Sequence, residues 1–191
     1  MRLNRQNRSI KDDAPQTGSL LVAHPSMPDP NFSRTVIFLA AHDSAEGSLG
    51  LVINRAMGTT LGESDSLYED TELADLPLYE GGPVATDKLI LAAWRWTQES
   101  GTFQLYFGID HLRAEQLLDE NSGYEVRAFM GHAGWSEGQL DAELEQRAWL
   151  LSKWLPELMN EGGEQVWRNI LLRENPAMRL LLDAPDDLSR N

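Results

Sequence analysis

Residues 134–138 read Gly-Trp-Ser-Glu-Gly, which matches the pattern G-x-S-x-G. In many hydrolases this pattern holds a nucleophilic serine at a sharp turn between a strand and a helix. The catalytic acid and histidine of those enzymes follow the serine along the chain, whereas all four histidines of this chain precede Ser136. The order of the residues therefore disfavours Ser136 as the nucleophile of such an elbow.

The same segment fits the start of a helix. Ser136 is an N-cap candidate, and Gln139 three residues later completes a capping box. Leu140 and Leu144 follow with the spacing of one helical face. We therefore predict a helix over residues 137–147, in which the hydroxyl of Ser136 accepts a free amide proton of the first turn.

Few other residues offer acid–base or metal chemistry. His132 lies four residues before Ser136, which leaves open a Ser–His pair outside an elbow. His42 ends a predicted strand, where an imidazole titrates near neutrality or serves as a structural hydrogen-bonding residue. Neither H-x-x-x-H nor H-x-E occurs, and the chain has no cysteine. We therefore predict no metal site, no cofactor and no disulfide.

The charge of the chain argues against nucleic-acid binding. The net charge is −14, from 16 basic and 30 acidic residues. Four of the basic residues lie in the first eleven positions, which contain no acid, so the remainder holds 12 basic against 30 acidic residues, a net of −18. Such a field repels a phosphate backbone on average. The sequence therefore predicts no direct contact with nucleic acid.

The organisation of the chain indicates one domain without a membrane segment. The longest apolar runs are too short to span a bilayer. The basic N-terminus has no apolar region behind it, so we predict no secretory signal and a cytoplasmic location. We expect a disordered basic tail over residues 1–17, a single domain over 18–182 and a frayed tail over 183–191.

Strands outnumber helices in the predicted order of elements. The predicted strands are apolar and β-branched segments at residues 18–23, 34–41, 49–54, 88–94, 102–108, 124–132 and 148–152. The predicted helices are residues 59–76, 111–120, 137–147 and 163–174, with a helical turn at 156–159. The first three strands have short, helix-free connections, which favour antiparallel neighbours. The pattern predicts an α+β fold with a largely antiparallel, curled sheet.

The chain contains three separate motifs of glycine, proline and a few polar residues. The first, a strand followed by a proline-rich loop, includes Pro25, Asp29, Pro30, Phe32, Arg34, His42, Gly50, Asn54 and Arg55. The second is Gly81-Gly82-Pro83, and the third is a box from Gly131 to Leu140 that is completed by Glu143. Together these motifs resemble those of the YqgE/AlgH family. His24 and His132 depart from the family pattern, and Ser136 occupies a variable position of the box.

The resemblance implies a bacterial, cytosolic protein with a bifurcated sheet wrapped into a pseudo-barrel, flanked by three to four helices. Members are often labelled as transcriptional regulators, but the family has no established biochemical activity or cofactor. The label does not imply DNA contact for this chain. Its best predicted helix, 137–147, carries Asp141, Glu143 and Glu145 against Arg147 alone, unlike a basic recognition helix.

We therefore hypothesise a non-enzymatic binding or regulatory module that contacts a protein or small ligand through its motif loops. The candidate binding residues are Pro25, Asp29, Phe32, Arg34, His42, Asn54, Arg55, Gly81, Gly82, Pro83, Gly131, Gly134, Trp135 and Gln139.

Structural roles for some of these residues stay open. Asp29 also suits a turn that caps amide groups, and Arg34 and Asn54 suit an internal loop clamp. Trp135 is either a core residue or an exposed anchor for a partner. Two alternative functions also remain: an enzyme with a pocket around Asp29, Arg34 and His42, and a direct DNA-binding regulator.

Overall fold

The computed structural model describes residues 14–97, 102–118, 122–153 and 162–182, and only the backbone of Trp96, Thr102 and Phe103. The predictions for residues 1–13, for the helical turn at 156–159 and for the tail from 183 lie outside the described residues.

The described chain alternates strands and short helices. The strands are β1 Leu20–Ala23, β2 Val36–Asp43, β3 Gly47–Val52, β4 Ala56–Thr60, β5 Pro77–Glu80, β6 Val84–Thr97, β7 Thr102–Ile109, β8 Glu125–Trp135 and β9 Trp149–Ser152. The α-helices are α1 Leu61–Ser64, α2 His111–Leu118, α3 Gln139–Glu145, α4 Gly163–Glu174 and α5 Arg179–Leu182, with a 3-10 helix at Pro176–Met178. The predicted 88–94/102–108 hairpin and the predicted helices at 111 and 163 are confirmed.

One sheet contains all of these strands and forks at β8. Its main path runs β4-β5-β8-β3-β2-β1-β9, and β6 and β7 branch from β8. Within β8, residues 128–130 pair with both β5 and β6, while residues 133–135 pair with β3. The β5–β8 pair is parallel and the other described pairs are antiparallel. The sheet curls into a half-barrel, which confirms the predicted α+β class and its bifurcated, largely antiparallel sheet.

Helices cover the sheet where its apolar side chains lie. Val166, Trp167 and Ile170 of α4 pack with Leu20 and Phe38 inside the half-barrel. On the opposite face, apolar side chains of α2 pack against β6 and β8. α3 contributes to a third cluster, formed with β1 and β9. None of the described helices has both the length and the apolar character needed to cross a membrane.

The helix predicted over residues 59–76 is wrong. Only Leu61–Ser64 is α-helical there, started by a capping box between Thr60 and Glu63. The leucines of this segment, at 61, 67, 73 and 76, point in different directions around a helix of 3.6 residues per turn and do not produce one helical face. The segment after α1 contains several aspartate and serine residues, types whose side chains favour turns by hydrogen-bonding nearby backbone groups. One example is Asp65, whose carboxylate accepts the Leu67 N–H at 2.9 Å.

Candidate functional site

Ser136 does not cap helix α3 with its hydroxyl, so that prediction is wrong. The helix begins at Gln139, after Gly138 in the left-handed region with φ of 66°, and has no side-chain cap. Both the N–H and the hydroxyl of Ser136 donate to Oε1 of Gln139, each at 3.1 Å. The glutamine half of the capping box therefore forms. The glycine turn delays the helix and makes the serine hydroxyl a donor.

The carboxylate of Glu143, the residue that completes the box, accepts three side-chain hydrogen bonds. The indole N–H groups of Trp135 and Trp149 donate to Oε2 of Glu143 at 2.9 and 2.7 Å. The amide of Gln139 donates to Oε1 of Glu143 at 2.9 Å. Phe32 packs on both indoles, with ring centroids 6.4 and 5.5 Å away. Trp135 is 6% exposed, so it is a core residue and not a surface anchor.

The guanidinium of Arg55 clamps the first loop from inside. It donates to the carbonyl groups of Asn31 at 2.9 Å, Pro30 at 3.0 Å and Ser33 at 3.1 Å. Its carboxylate neighbour, Glu80, lies 3.6 Å away. Arginine donates several N–H groups in a fixed planar geometry, which suits three carbonyls on one tight loop. Arg55 therefore has a structural role, because it fixes the backbone of the first motif loop.

Asp29 forms the turn within that loop. Its carboxylate accepts the Asn31 N–H at 2.9 Å, and its carbonyl accepts the N–H groups of Phe32 and Ser33 at 3.0 and 2.8 Å. These contacts match the turn-forming role that its position before Pro30 predicts.

Asn54 links the end of the loop to helix α4. Only 5% of this residue is exposed. Its Oδ1 accepts the Val36 N–H at 2.8 Å, and its Nδ2 donates to the carbonyls of Arg34 and Gly163, both at 3.0 Å. The amide thus uses its acceptor and both of its donors on backbone groups that are distant in sequence.

Arg34 has a strained backbone and points its side chain along helix α4. Its φ is 59°, a left-handed value that costs a non-glycine residue roughly 1–2 kcal/mol. Its Nη1 donates to both carboxylate oxygens of Glu164, at 3.1 and 3.0 Å. The two side chains are 42% and 66% exposed. Arg34 therefore stands at the surface, unlike Asn54.

A cleft of about 220 Å³ lies beside this ion pair. It has both charged and apolar walls, formed by Pro25, Arg34, Glu164, Gln165, Trp167, Arg168, Leu181 and Leu182. We call it the Arg34 cleft. Sequence reasoning missed the α4 residues, because nothing in the local pattern of a helix reveals which distant loop it faces.

His42 lies in a different place. Its Nδ1 is 2.8 Å from the hydroxyl of Ser48, its cross-strand partner in the β2–β3 hairpin. It lines an open depression with Asp43, Glu46 and Trp135. His42 and Arg34 thus line separate cavities, which does not support an enzyme pocket shared by them.

Gly81-Gly82-Pro83 carries the chain across strand β8. Because β5 and β6 pair with the same residues of β8, they lie on opposite edges of it. The chain must therefore cross β8 within the four steps from residue 80 to 84. A Cβ on Gly81 or Gly82 would overlap backbone atoms of Gly131 and His132. These glycines permit a close backbone crossing.

Three further candidate residues, Pro83, Gly134 and Gln139, lie at the surface. Gly134 and Pro83 are exposed, and Gln139 is exposed although it is hydrogen-bonded to Ser136 and Glu143. Among the described side chains, the Nδ1 atom of His132 is buried without a hydrogen-bond partner. The hydroxyl of Ser136 donates to Gln139, so Ser136 and His132 do not form the Ser–His pair that the sequence left open. No group of three or more His, Asp or Glu in the described ranges is arranged to hold a metal ion.

The sheet forks at β8, helix α4 packs inside its half-barrel, and two glycines let the chain cross β8. These features define an α+β half-barrel protein. The sequence model of the AlgH-like family matches residues 20–178, and the chain belongs to this family. It is 36% identical over 190 residues to a UPF0301 protein of Streptomyces avermitilis, covering 92% of this chain and 95% of that one.

Two solved structures share the fold. The solution structure of the AlgH protein from Pseudomonas aeruginosa has a TM-score of 0.61 at 29% identity, covering 90% of this chain and 95% of that one. A crystal structure of a protein from Corynebacterium diphtheriae has a TM-score of 0.66 at 24% identity, covering 88% and 92%.

Proposed function

We propose that this chain is a non-enzymatic, cytoplasmic binding module whose ligand site is the Arg34 cleft. In this proposal it regulates transcription indirectly, by engaging the anionic group of a small ligand or of a partner protein. The observation that carries the proposal is the strained, left-handed backbone of Arg34 at the mouth of a cleft. Such strain persists where the surroundings hold it in place, and it clusters at binding sites.

The rigid support behind Arg34 favours binding over a purely structural role. Asn54 holds the Arg34 carbonyl at 3.0 Å from a buried position. The loop before Arg34 is fixed by Arg55, as described above. The backbone of Arg34 is therefore preorganised while its side chain stays accessible, which lowers the entropic cost of binding.

The chemistry of the cleft indicates a carboxylate or phosphate. A guanidinium binds either group through two parallel hydrogen bonds, and Arg168 adds a second cation to the lining. Glu164 forms an ion pair with Arg34, but exposed ion pairs contribute only about 0–1 kcal/mol to stability. A ligand anion can therefore replace it, while Trp167 and Leu182 contact an apolar portion of the ligand.

The two rival functions have weaker support. An enzyme built on Arg34 and His42 would need both in one pocket, and they line different cavities. The net charge of −14 repels the phosphate backbone and therefore opposes direct DNA binding. A gel-shift titration at low salt is expected to detect no complex at micromolar protein, and a complex would revive the DNA-binding function.

The test titrates ¹⁵N-labelled protein with a panel of carboxylate- and phosphate-bearing metabolites and follows amide shifts around residues 24–35 and α4. A binder should lose at least about tenfold in affinity with Arg34→Ala, equivalent to roughly 1.4 kcal/mol, and retain part of it with Arg34→Lys. Lys88→Ala is the matched control, because it removes a 71% exposed cation from β6. Equal binding by wild type and Arg34→Ala, or shifts confined to other surfaces, would refute the proposal.

A further inference from the structure

Strand β7 has one edge without a partner strand among the described residues. It spans Thr102–Ile109 and pairs with β6 alone. Its sequence, TFQLYFGI, contains no charge and no proline. Soluble proteins usually protect a sheet edge with lysine, proline, bulges or shortness. The register shift at Gly108 interrupts β7 near its end, while the pairing from Thr102 to Phe107 is regular. The path through the sheet ends at β4 and β9, which have only five and four residues.

A chain of arginine and tyrosine side chains crosses one face of the sheet, from Tyr106 of β7 to Arg95 of β6 and to Tyr124 just before β8. The guanidinium carbon of Arg113 is 5.2 Å from the ring centre of Tyr106, and that of Arg95 is 4.7 Å from Tyr124. The two tyrosine rings are 5.5 Å apart. We call Arg113, Tyr106, Tyr124 and Arg95 the Arg–Tyr strip.

The cations of the strip lack carboxylate partners within the described part of the chain. Arg113 donates to the amide oxygen of Gln116 at 3.1 Å. Arg95 donates to the amide oxygen of Gln104 at 2.6 Å and to the carbonyl of Ser122 at 3.1 Å, and its Nε is buried without an acceptor. In a chain of net charge −14, these two guanidinium groups form no ion pair among the described residues, and the carboxylate of Asp110 accepts the backbone N–H of Arg113 at 2.8 Å.

The other face of β7 presents apolar groups. Leu105 and Phe107 are half-buried and pack against the cluster inside the half-barrel. Side chains alternate between the two faces of a strand. A strand added beside β7 would therefore place every second side chain on the face that carries Tyr106 and Arg113, and the others beside Leu105 and Phe107.

We propose that the edge of β7 is the docking site for an extended, acidic segment of a partner protein. The segment adds to the sheet as a new strand, its carboxylates lie on the face of Tyr106 and bind Arg113, and its intervening apolar side chains cover Leu105 and Phe107. Peptide addition to a sheet edge obtains affinity from main-chain hydrogen bonds and specificity from alternate side chains.

A second copy of this chain fits the edge less well. Antiparallel pairing of two β7 strands requires a two-fold axis perpendicular to the sheet, because each strand must run opposite to its copy. That axis places both Arg–Tyr strips, and therefore four like charges, on the same face of the joined sheet. Repulsion between these charges disfavours the pair.

The experiment measures calorimetric binding of the probe peptide acetyl-TEVEVET-amide to the full chain. Three comparison peptides carry lysine for glutamate, N-methyl groups on the amides that face β7, or N-methyl groups on the opposite amides. We expect the lysine peptide and the first methylated peptide to bind at least about tenfold more weakly, and the second methylated peptide to bind like the parent. Arg113→Gln should weaken binding similarly, while Lys88→Gln should not.

Hydrogen exchange of β7 separates the possible occupants of the edge. Alternate β7 amides should exchange quickly in the free chain and become protected with the probe. Protection already present at low protein concentration would mean that the chain covers its own edge. Protection that rises with protein concentration would mean a second copy. Either result, equal binding of all four peptides, or no binding of the probe at millimolar concentration would overturn the proposal.

Discussion

The loop around Arg55 and the Arg–Tyr strip both contain arginines, but they use them differently. Arg55 donates to three carbonyl groups of its own loop. Arg95 and Arg113 lie on tyrosine rings and have amide or carbonyl acceptors, but no carboxylate among the described residues. The first region carries the recognisable motif and is mostly scaffold. The second carries no motif, and its arginines form no ion pair among the described residues.

Substitutions of scaffold residues should lower the free energy of unfolding more than substitutions of surface residues. The largest loss is expected where the chain crosses β8. Gly131 has φ of 70°, and an added Cβ would lie 2.5 Å from the Gly82 carbonyl oxygen. Gly131→Ala should lower the free energy of unfolding by about 4 kcal/mol or abolish folding, as measured by urea titration. Gly58→Ala is the control, because Gly58 has a similar φ of 76° with no atom within 4 Å. Its expected cost is about 1 kcal/mol, and equal costs would disprove the close-crossing explanation.

The next largest effect is expected at Asn54. Asn54→Ala leaves the Val36 N–H and the carbonyls of Arg34 and Gly163 without their partner. We expect a loss of about 3 kcal/mol in the free energy of unfolding, since a buried group left unsatisfied costs about 1–3 kcal/mol. Urea titration measures it, with the exposed Asn31→Ala as control. A loss below about 1 kcal/mol would mean that the loop is not held as described.

A smaller effect is expected in the Arg–Tyr strip. Arg113→Gln removes a surface cation whose described contacts are the ring and hydroxyl of Tyr106 and one amide. It should change the free energy of unfolding by less than about 0.5 kcal/mol. Arg55→Gln, measured under the same conditions, should cost about 2 kcal/mol because three carbonyls lose their donor. Similar values for the two variants would remove the distinction between the regions.

The smallest effect concerns the ionisation of Tyr106. The Arg113 side chain, as a hydrogen-bond donor, and the neighbouring Tyr124 lower the pKa of Tyr106. A lowered pKa in the folded state adds stability only above the ordinary tyrosine pKa, and this contribution disappears as the pH falls through the folded pKa. No effect is therefore expected at neutral pH.

Ultraviolet titration of the phenolate checks this. One tyrosine should ionise earlier than the others, and Tyr106→Phe should remove that component. Arg113→Gln should shift it upward. Burial instead raises the pKa of Tyr124, so Tyr124→Phe should leave the early component in place.

Comparison of sequence and structure shows which kinds of inference succeed. The hairpin of β6 and β7 and the helix from Gly163 follow from local apolar patterns, and both are confirmed. The 59–76 segment failed, because its leucine spacing fits no helical face. The Ser136 cap failed because Gly138 adopts a left-handed conformation that moves the helix start. One residue's φ therefore changed the hydroxyl of Ser136 from acceptor to donor.

By itself the sequence determined the class of fold, the strand-rich order and the positions where only glycine fits, because these depend on neighbouring residues and backbone geometry. Only the tertiary structure decided which polar groups are consumed and which are available. Arg34 meets Glu164 across 130 residues, and Asn54 meets Gly163 across 109. A side chain chooses its partners by distance in space, and chain folding creates that proximity without leaving a local pattern in the sequence.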